Sequence, residues 1–188
     1  MSFWDKYQLY VYVALLALAS WWLQQRYEQQ QAEIKVAENS PDFYSESYSK
    51  VQMDTDGLPK NQLHAKAMQH YKADGTTHLQ QPVMTLFNAN AAPWLITADS
   101  AILAADGDHL QLNGETHISR EARVGKPALR VNTSDLNVVL STHYAETAAW
   151  AEIVSVPNKT AGIGMEVTFV SPVNLKLLSK VKGRYEVK

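Results

Sequence analysis

Apolar and polar side chains alternate at every second position along most of the chain after residue 41. The alternation is interrupted at short intervals by Gly, Pro and Asp, which is the signature of short strands with one buried face joined by tight turns. Residues 94–119 show it most clearly. Trp94, Ile96 and Ala98 alternate with Leu95, Thr97 and Asp99, and Asp106-Gly107-Asp108 supplies a turn. Leu110 and Leu112 follow in alternation, Gly114 breaks the run, and Thr116 and Ile118 resume it. The order is strand, turn, strand, kink, strand.

The unit recurs. Residues 129–140 repeat the strand, a small polar step (Thr133-Ser134-Asp135 against Ala98-Asp99-Ser100) and a second apolar strand. A fainter copy runs from Gly162 to Leu177. One such unit cannot bury its own apolar face, so the copies must stack or roll up together.

The remaining segments fit the same scheme. Phe43–Met53 reads as a first strand with a register change near Ser49-Lys50, Asp54–Gly57 as its turn, and Leu63, Ala65 and Ala67 as the alternation of the next strand. Asp74-Gly75 turns again, and residues 79–87 form a strand whose Pro82 marks an edge or a bulge. Residues 120–127 read as a basic loop, 158–164 as a separator and 174–186 as the closing strand. The spacing predicts a sandwich, jelly roll or barrel. Its inner phase holds Tyr48, Val51, Met53, Leu63, Leu79, Met84, Leu86, Trp94, Ile96, Ile102, Leu110, Leu112, Ile118, Val131, Leu136, Val138, Leu140, Ile153, Val167 and Leu175. A dry core and an apolar lumen ask for the same residues at these positions.

The N-terminal stretch is different. Residues 7–23 carry no charge and lie between Lys6 and Arg26, with Trp4, Tyr7, Tyr10 and Tyr12 towards one end and Trp21, Trp22 and Tyr27 towards the other. An uncharged run of this length between aromatic flanks reads as a membrane anchor over 7–25. Ala17-Leu18-Ala19 offers the competing reading of a cleaved signal, but apolar residues continue beyond it. A core helix is disfavoured because residues 26–40, rich in Gln, Glu and Ala, form a polar stalk with only Ile34 and Val36 as apolar positions. The small residues Ala14, Ala17, Ala19 and Ser20 would permit close packing of the helix. The expected organisation is therefore 1–6 as an N-terminus, 7–25 as the transmembrane helix, 26–40 as the polar stalk and 41–188 as one all-β domain.

Composition narrows the function. A net charge of -2 argues against a nucleic-acid binder, and the absence of cysteine excludes disulfides and thiolate metal sites. His64, His70, His78, His109, His117 and His143 make no metal-ligand spacing; His64 and His109 fall on the polar phase. No nucleophile elbow, phosphate loop or dinucleotide fingerprint occurs. Asp99 and Asp135 recur at one place in the repeat and read as bulge residues rather than a catalytic pair. Neither an enzyme nor a cofactor is implied.

The order of these features resembles the LptC family of lipopolysaccharide export proteins along nearly the whole chain. The likeness comprises the single anchor and stalk, Asn39-Ser-Pro-Asp-Phe-Tyr-Ser-Glu46, Asp56-Gly57 and Gln81-Pro82-Val83 with Leu86-Phe87. It continues through Pro93-Trp94 with Ala98-Asp99, Leu110-x-Leu112-x-Gly114, and Val181 to Tyr185-Glu186. The resemblance implies a single-pass inner-membrane protein, with residues 1–6 cytoplasmic and 41–188 an open β-jelly roll in the periplasm. Such a protein accepts lipopolysaccharide from an ABC transporter and passes it to a soluble jelly-roll partner. By position it places Tyr48, Leu79 and Asn174 in the lumen, beside Val51, Met53, Leu63, Met84, Leu86, Trp94, Ile96, Leu110, Leu112, Ile118 and Leu140 from the inner phase. It assigns the first strand and the membrane helix to the transporter, and the last strand to the soluble partner. Lys176, Lys180, Lys182 and Arg184 read as a solvated basic edge. One departure is Ser155, where family members can carry Gly.

Overall fold

The computed structural model describes residues 3–32, 40–88, 92–123, 127–170 and 172–185, and the chain separates into two units, Met1–Ser40 and Pro41–Lys188. In the first, helix α1 spans Phe3–Ala32, 30 residues with the apolar side chains spread round the helix rather than in one stripe. At 1.5 Å per residue it is longer than a bilayer core requires. Even so, among the described residues no helix is long and apolar enough to cross a membrane. Tyr7, Gln8, Tyr10, Tyr12, Trp21, Trp22 and Gln24 dilute the aliphatic run between them. Arg26 lies over the Trp22 ring, 4.8 Å from its centroid. The helix carries on through the first part of the expected stalk; residues 33–39, which hold Ile34 and Val36, lie outside the described residues.

The second unit is all-β and antiparallel. Its strands are β1 (Phe43–Met53), β2 (Pro59–Tyr71), β3 (Thr76–Gln80), β4 (Val83–Leu86), β5 (Trp94–Leu103), β6 (His109–Arg120), β7 (Leu129–Val139), β8 (Tyr144–Ser155), β9 (Asn158–Thr168) and β10 (Asn174–Arg184). They form one 10-stranded sheet in the order β1-β2-β3-β5-β6-β7-β8-β9-β10, with β4 continuing beside β3 between β2 and β5. Neighbours in sequence pair because Asp-containing turns reverse the chain. Asp54 accepts the N–H groups of Asp56 and Leu58, Asp74 that of Thr76, and Asp106 those of Asp108 and His109.

A single crease crosses this sheet. Ser47, Gln81, Gly114, Asp135, Gly164 and Lys180 all take positive φ, and the register shifts in β5, β6, β7, β8 and β10 fall beside them. A bulge adds residues to one strand and bends it. Bulges aligned across neighbouring strands bend the whole sheet, so each long strand contributes an arm to each of two facing layers. Pro82 ends β3 at this line, which turns the one strand expected over 79–87 into two. At Gly114 the kink seen in the pattern is real: φ is 78°, and a Cβ there would collide with the Asp99 carboxylate. Asp99 accepts the Glu115 N–H at 2.9 Å, and Asp135 the Gly114 N–H at 3.1 Å. The repeated aspartates are thus bulge residues.

The bulges decide which side chains face inward. Ile102 lies off the core and Ala101 and Leu103 are buried instead, because the shift between Ala98 and Ser100 reverses the alternation. In β1 the register change stands at Gln52/Met53, not at Ser49-Lys50, and pairing is regular from Tyr48 to Gln52. Val51 is therefore opposite Gln62 on the outer face, and both Val51 and Met53 are exposed. Asn174 is opposite outward Thr168 and exposed, while its neighbour Leu175 takes the inner position beside Val167. Residues 158–164 are strand rather than separator, the reversal being at Val156-Pro157.

Candidate functional site

The inner faces of the two layers meet in one apolar cluster. It contains Leu63, Leu79, Met84, Leu86, Trp94, Ile96, Leu110, Leu112, Ile118 and Leu140 from the positions singled out in the sequence, together with Val131, Leu136, Val138 and Val167. Tyr48, Ile153, Leu175 and Leu177 pack against its margin, partly buried. Burial raises the Tyr48 phenol above its ordinary value. Val51, Met53 and Asn174 take no part. Periodicity missed Met68, Leu103, Met165 and Phe169, all of which are buried; Leu103, Met165 and Phe169 stand past a bulge or at a strand end, where the count of two is lost.

The interior is filled. Leu79, Leu112 and Ile118 are each 1% exposed and Trp94 is 0%. Cavities of about 430, 250 and 210 Å³ are flanked instead by outward side chains, among them Gln111, Tyr144 and Glu146 in the first, Arg130 and Val156 in the second and Gln69 and His78 in the third. Tyr144 donates to Glu146 at 2.9 Å, and desolvation with that carboxylate pushes its pKa up to about 12.

Two features keep this interior within reach of the surface. The sheet does not close: β1 and β10 stand at opposite ends of the strand order, each with only one neighbour. Away from the crease, the layers are held by a short set of bonds. Lys60 Nζ donates to the Ser141 carbonyl at 3.2 Å and Asn88 Nδ2 to the Phe169 carbonyl at 2.9 Å. The Phe169 ring meets Trp94 edge-on with centroids 5.3 Å apart. The Arg120 guanidinium lies over the Trp94 ring, 4.8 Å from its centroid.

The histidines do not form a centre. His64 and His109 are exposed as expected, His70 bonds Thr77, and His117 bonds Asn132. His143 alone is buried, 6% exposed, with Nε2 lacking a partner. Burial, and then the charge of Lys60, holds its pKa below the usual histidine value. No signal in the sequence marked it, since it sits in a turn with φ of 52°. Among the described residues no group of acidic and histidine side chains could hold a metal ion.

An antiparallel jelly roll with unpaired edges and an apolar inner face is the class of protein that these features define. The model of the family described as "Lipopolysaccharide-assembly, LptC-related" matches residues 9–186, and the chain belongs to that family. It is 27% identical over 158 residues to the lipopolysaccharide export system protein LptC of Escherichia coli strain K12, covering 83% of this chain and 81% of that protein. The same protein of Shigella flexneri matches to the same extent, 27% over 158 residues. Among solved structures, LptH of Pseudomonas aeruginosa, the LptA-homologous periplasmic component of a lipopolysaccharide transport device, superposes with a TM-score of 0.51. The match covers 75% of this chain and 96% of LptH at 9% identity, a likeness of fold alone.

Proposed function

We propose that the protein is the membrane-anchored component of a lipopolysaccharide transport bridge. Helix α1 holds it in the inner membrane, its aromatic ends placed at the two interfaces, with the jelly roll in the periplasm. The roll accepts lipopolysaccharide from an ABC transporter, shelters the acyl chains between its layers, and hands the lipid to a soluble jelly-roll partner. The observation that carries this reading is an apolar inner face in a sheet whose two edge strands are each unpaired along one side. Such edges are templates for strand addition, β1 towards the transporter and β10 towards the soluble partner. Each CH₂ of an acyl chain moved from water onto the inner face gains about 0.8 kcal/mol.

The filled interior favours a second reading, in which the roll tethers its partners through the edges and carries nothing. A photocrosslinking residue at Leu79, with exposed Gln111 as control, separates the two in membranes containing the transporter, lipopolysaccharide and ATP. An ATP-dependent lipid adduct at Leu79 alone is the expected result. Its absence from an assembled complex makes the protein a tether.

A further inference from the structure

Trp94 and Arg120 are direct cross-strand partners at the end of β5 and β6, so their side chains share a face. Trp94 is on the inner face and fully buried. An arginine is thereby held at the rim of an apolar interior, where a charge needs a reason. It has incomplete ones: the guanidinium stacks over the Trp94 ring at 4.8 Å, and one Nη reaches the Pro127 carbonyl at 3.5 Å. None of the ion pairs among the described residues involves it. Arg120 Nε and Trp94 Nε1 are both buried without a hydrogen-bond partner.

Both orphaned groups are donors and neither can accept. Leaving a buried donor unpaired is costly, and two on touching side chains mark a place prepared for acceptor oxygens. One of the donors belongs to a cation with the fork geometry that suits oxyanions. Trp94 at the same time faces Phe169 across the two layers, so the pair of donors stands where the apolar interior ends.

We infer that Trp94 and Arg120 form a binding point for an anionic phosphoryl group on the head of an amphiphile whose chains occupy the interior. The inference rests on the carrier reading above and adds to it a polar subsite that fixes how deeply the lipid inserts. The apolar layers take the chains, and the Arg120–Trp94 rim stops the head.

The test compares bisphosphorylated lipid A with its dephosphorylated form, whose chains are the same, for binding to the full chain in detergent. The unchanged protein is expected to bind the phosphorylated lipid more tightly. Arg120→Gln and Trp94→Phe should each weaken that binding about tenfold, as for loss of a hydrogen bond to a charged group. Arg120→Gln should leave binding of the dephosphorylated lipid unaffected. Trp94→Phe also alters the apolar face, so it should weaken binding of the phosphorylated lipid more than that of the dephosphorylated one. Arg120→Lys should recover part of the difference. Circular dichroism melting of each variant establishes that it folds; Arg120→Gln, at a half-buried rim position, keeps the test open if Trp94→Phe does not. Equal losses for both lipids, or none for either, overturn the subsite while leaving the carrier reading intact. Binding of inorganic phosphate as tightly as the phosphorylated lipid also overturns it, since that would be a site for the free ion. Failure of the unchanged protein to bind either lipid removes the carrier reading and the subsite with it.

Discussion

The carboxylate of Asp99 occupies the space that a side chain at Gly114 would need. The glycine sits at φ 78° on β6 and the aspartate accepts the next N–H, that of Glu115, at 2.9 Å. The crease of the sheet depends on this pair in its middle strands.

Gly114→Ala should therefore destabilise the domain more than Gly107→Ala. Both glycines have positive φ, 78° and 70°, but a Cβ at Gly107 meets nothing within 4 Å. Backbone strain alone accounts for about 1–3 kcal/mol at either site; the excess at Gly114 is the collision. Urea unfolding of the two variants measures it. Equal losses would show that Asp99 yields freely.

The inner and outer positions of β1 and β3 give a second contrast. Leu79→Ala should cost about 2–5 kcal/mol, as for other fully buried leucines. Val51→Ala should change stability by less than about 0.5 kcal/mol, because Val51 is on the outer face of an edge strand. Comparable losses at both sites would restore Val51 to the interior.

These two residues also show how far the pattern could be read. Leu79, Leu110, Leu112, Trp94 and Ile96 were legible because each lies on a straight arm where the period of two holds. The turns at Asp54, Asp74 and Asp106 were legible because Asp and Gly declare themselves. What the pattern did not show was the alignment of the bulges, which arises only when strands are paired. Each bulge reverses the alternation beyond it, so local counting put Ile102 on the wrong face. Val51 was misplaced for the opposite reason, a register change expected at Ser49-Lys50 where the pairing is regular. Asn174 was assigned by family position, and the register with Thr168 places it outside. Arg120 read as the start of a basic loop, and only its pairing with Trp94 brings it to the rim.

His143 should make the domain acid-sensitive near neutral pH. Its folded pKa lies below the ordinary 6.5 through burial first and the charge of Lys60 second. Above 6.5 both states are neutral and the full stability is present. As pH falls below 6.5 the unfolded chain takes up a proton that the folded one resists, so stability declines until the folded pKa is reached. Urea midpoints measured from pH 7.5 to 5 should fall, and His143→Asn should flatten that slope. An unchanged slope in the variant would assign the acid sensitivity elsewhere.

Loading the interior requires the layers to move. Side chains fill the interior, so an acyl chain can enter only if the two layers part, and the crease is continuous backbone that cannot separate. Opening must then occur at the far side, where Lys60 bonds Ser141, Asn88 bonds Phe169, and Trp94 meets Phe169. The chain has no cysteine of its own, so Lys60→Cys with Ser141→Cys introduces a unique pair that a short bis-maleimide can join across the layers. The joined protein should keep its fold and its partners but lose ATP-dependent lipid adducts at position 79. A cleavable linker should restore them on cleavage, since only the tie between layers differs. Adducts that form equally well in the joined protein would mean that lipid enters without parting the layers at this end. Passage over one of the unpaired edges, β1 or β10, would then be the way in.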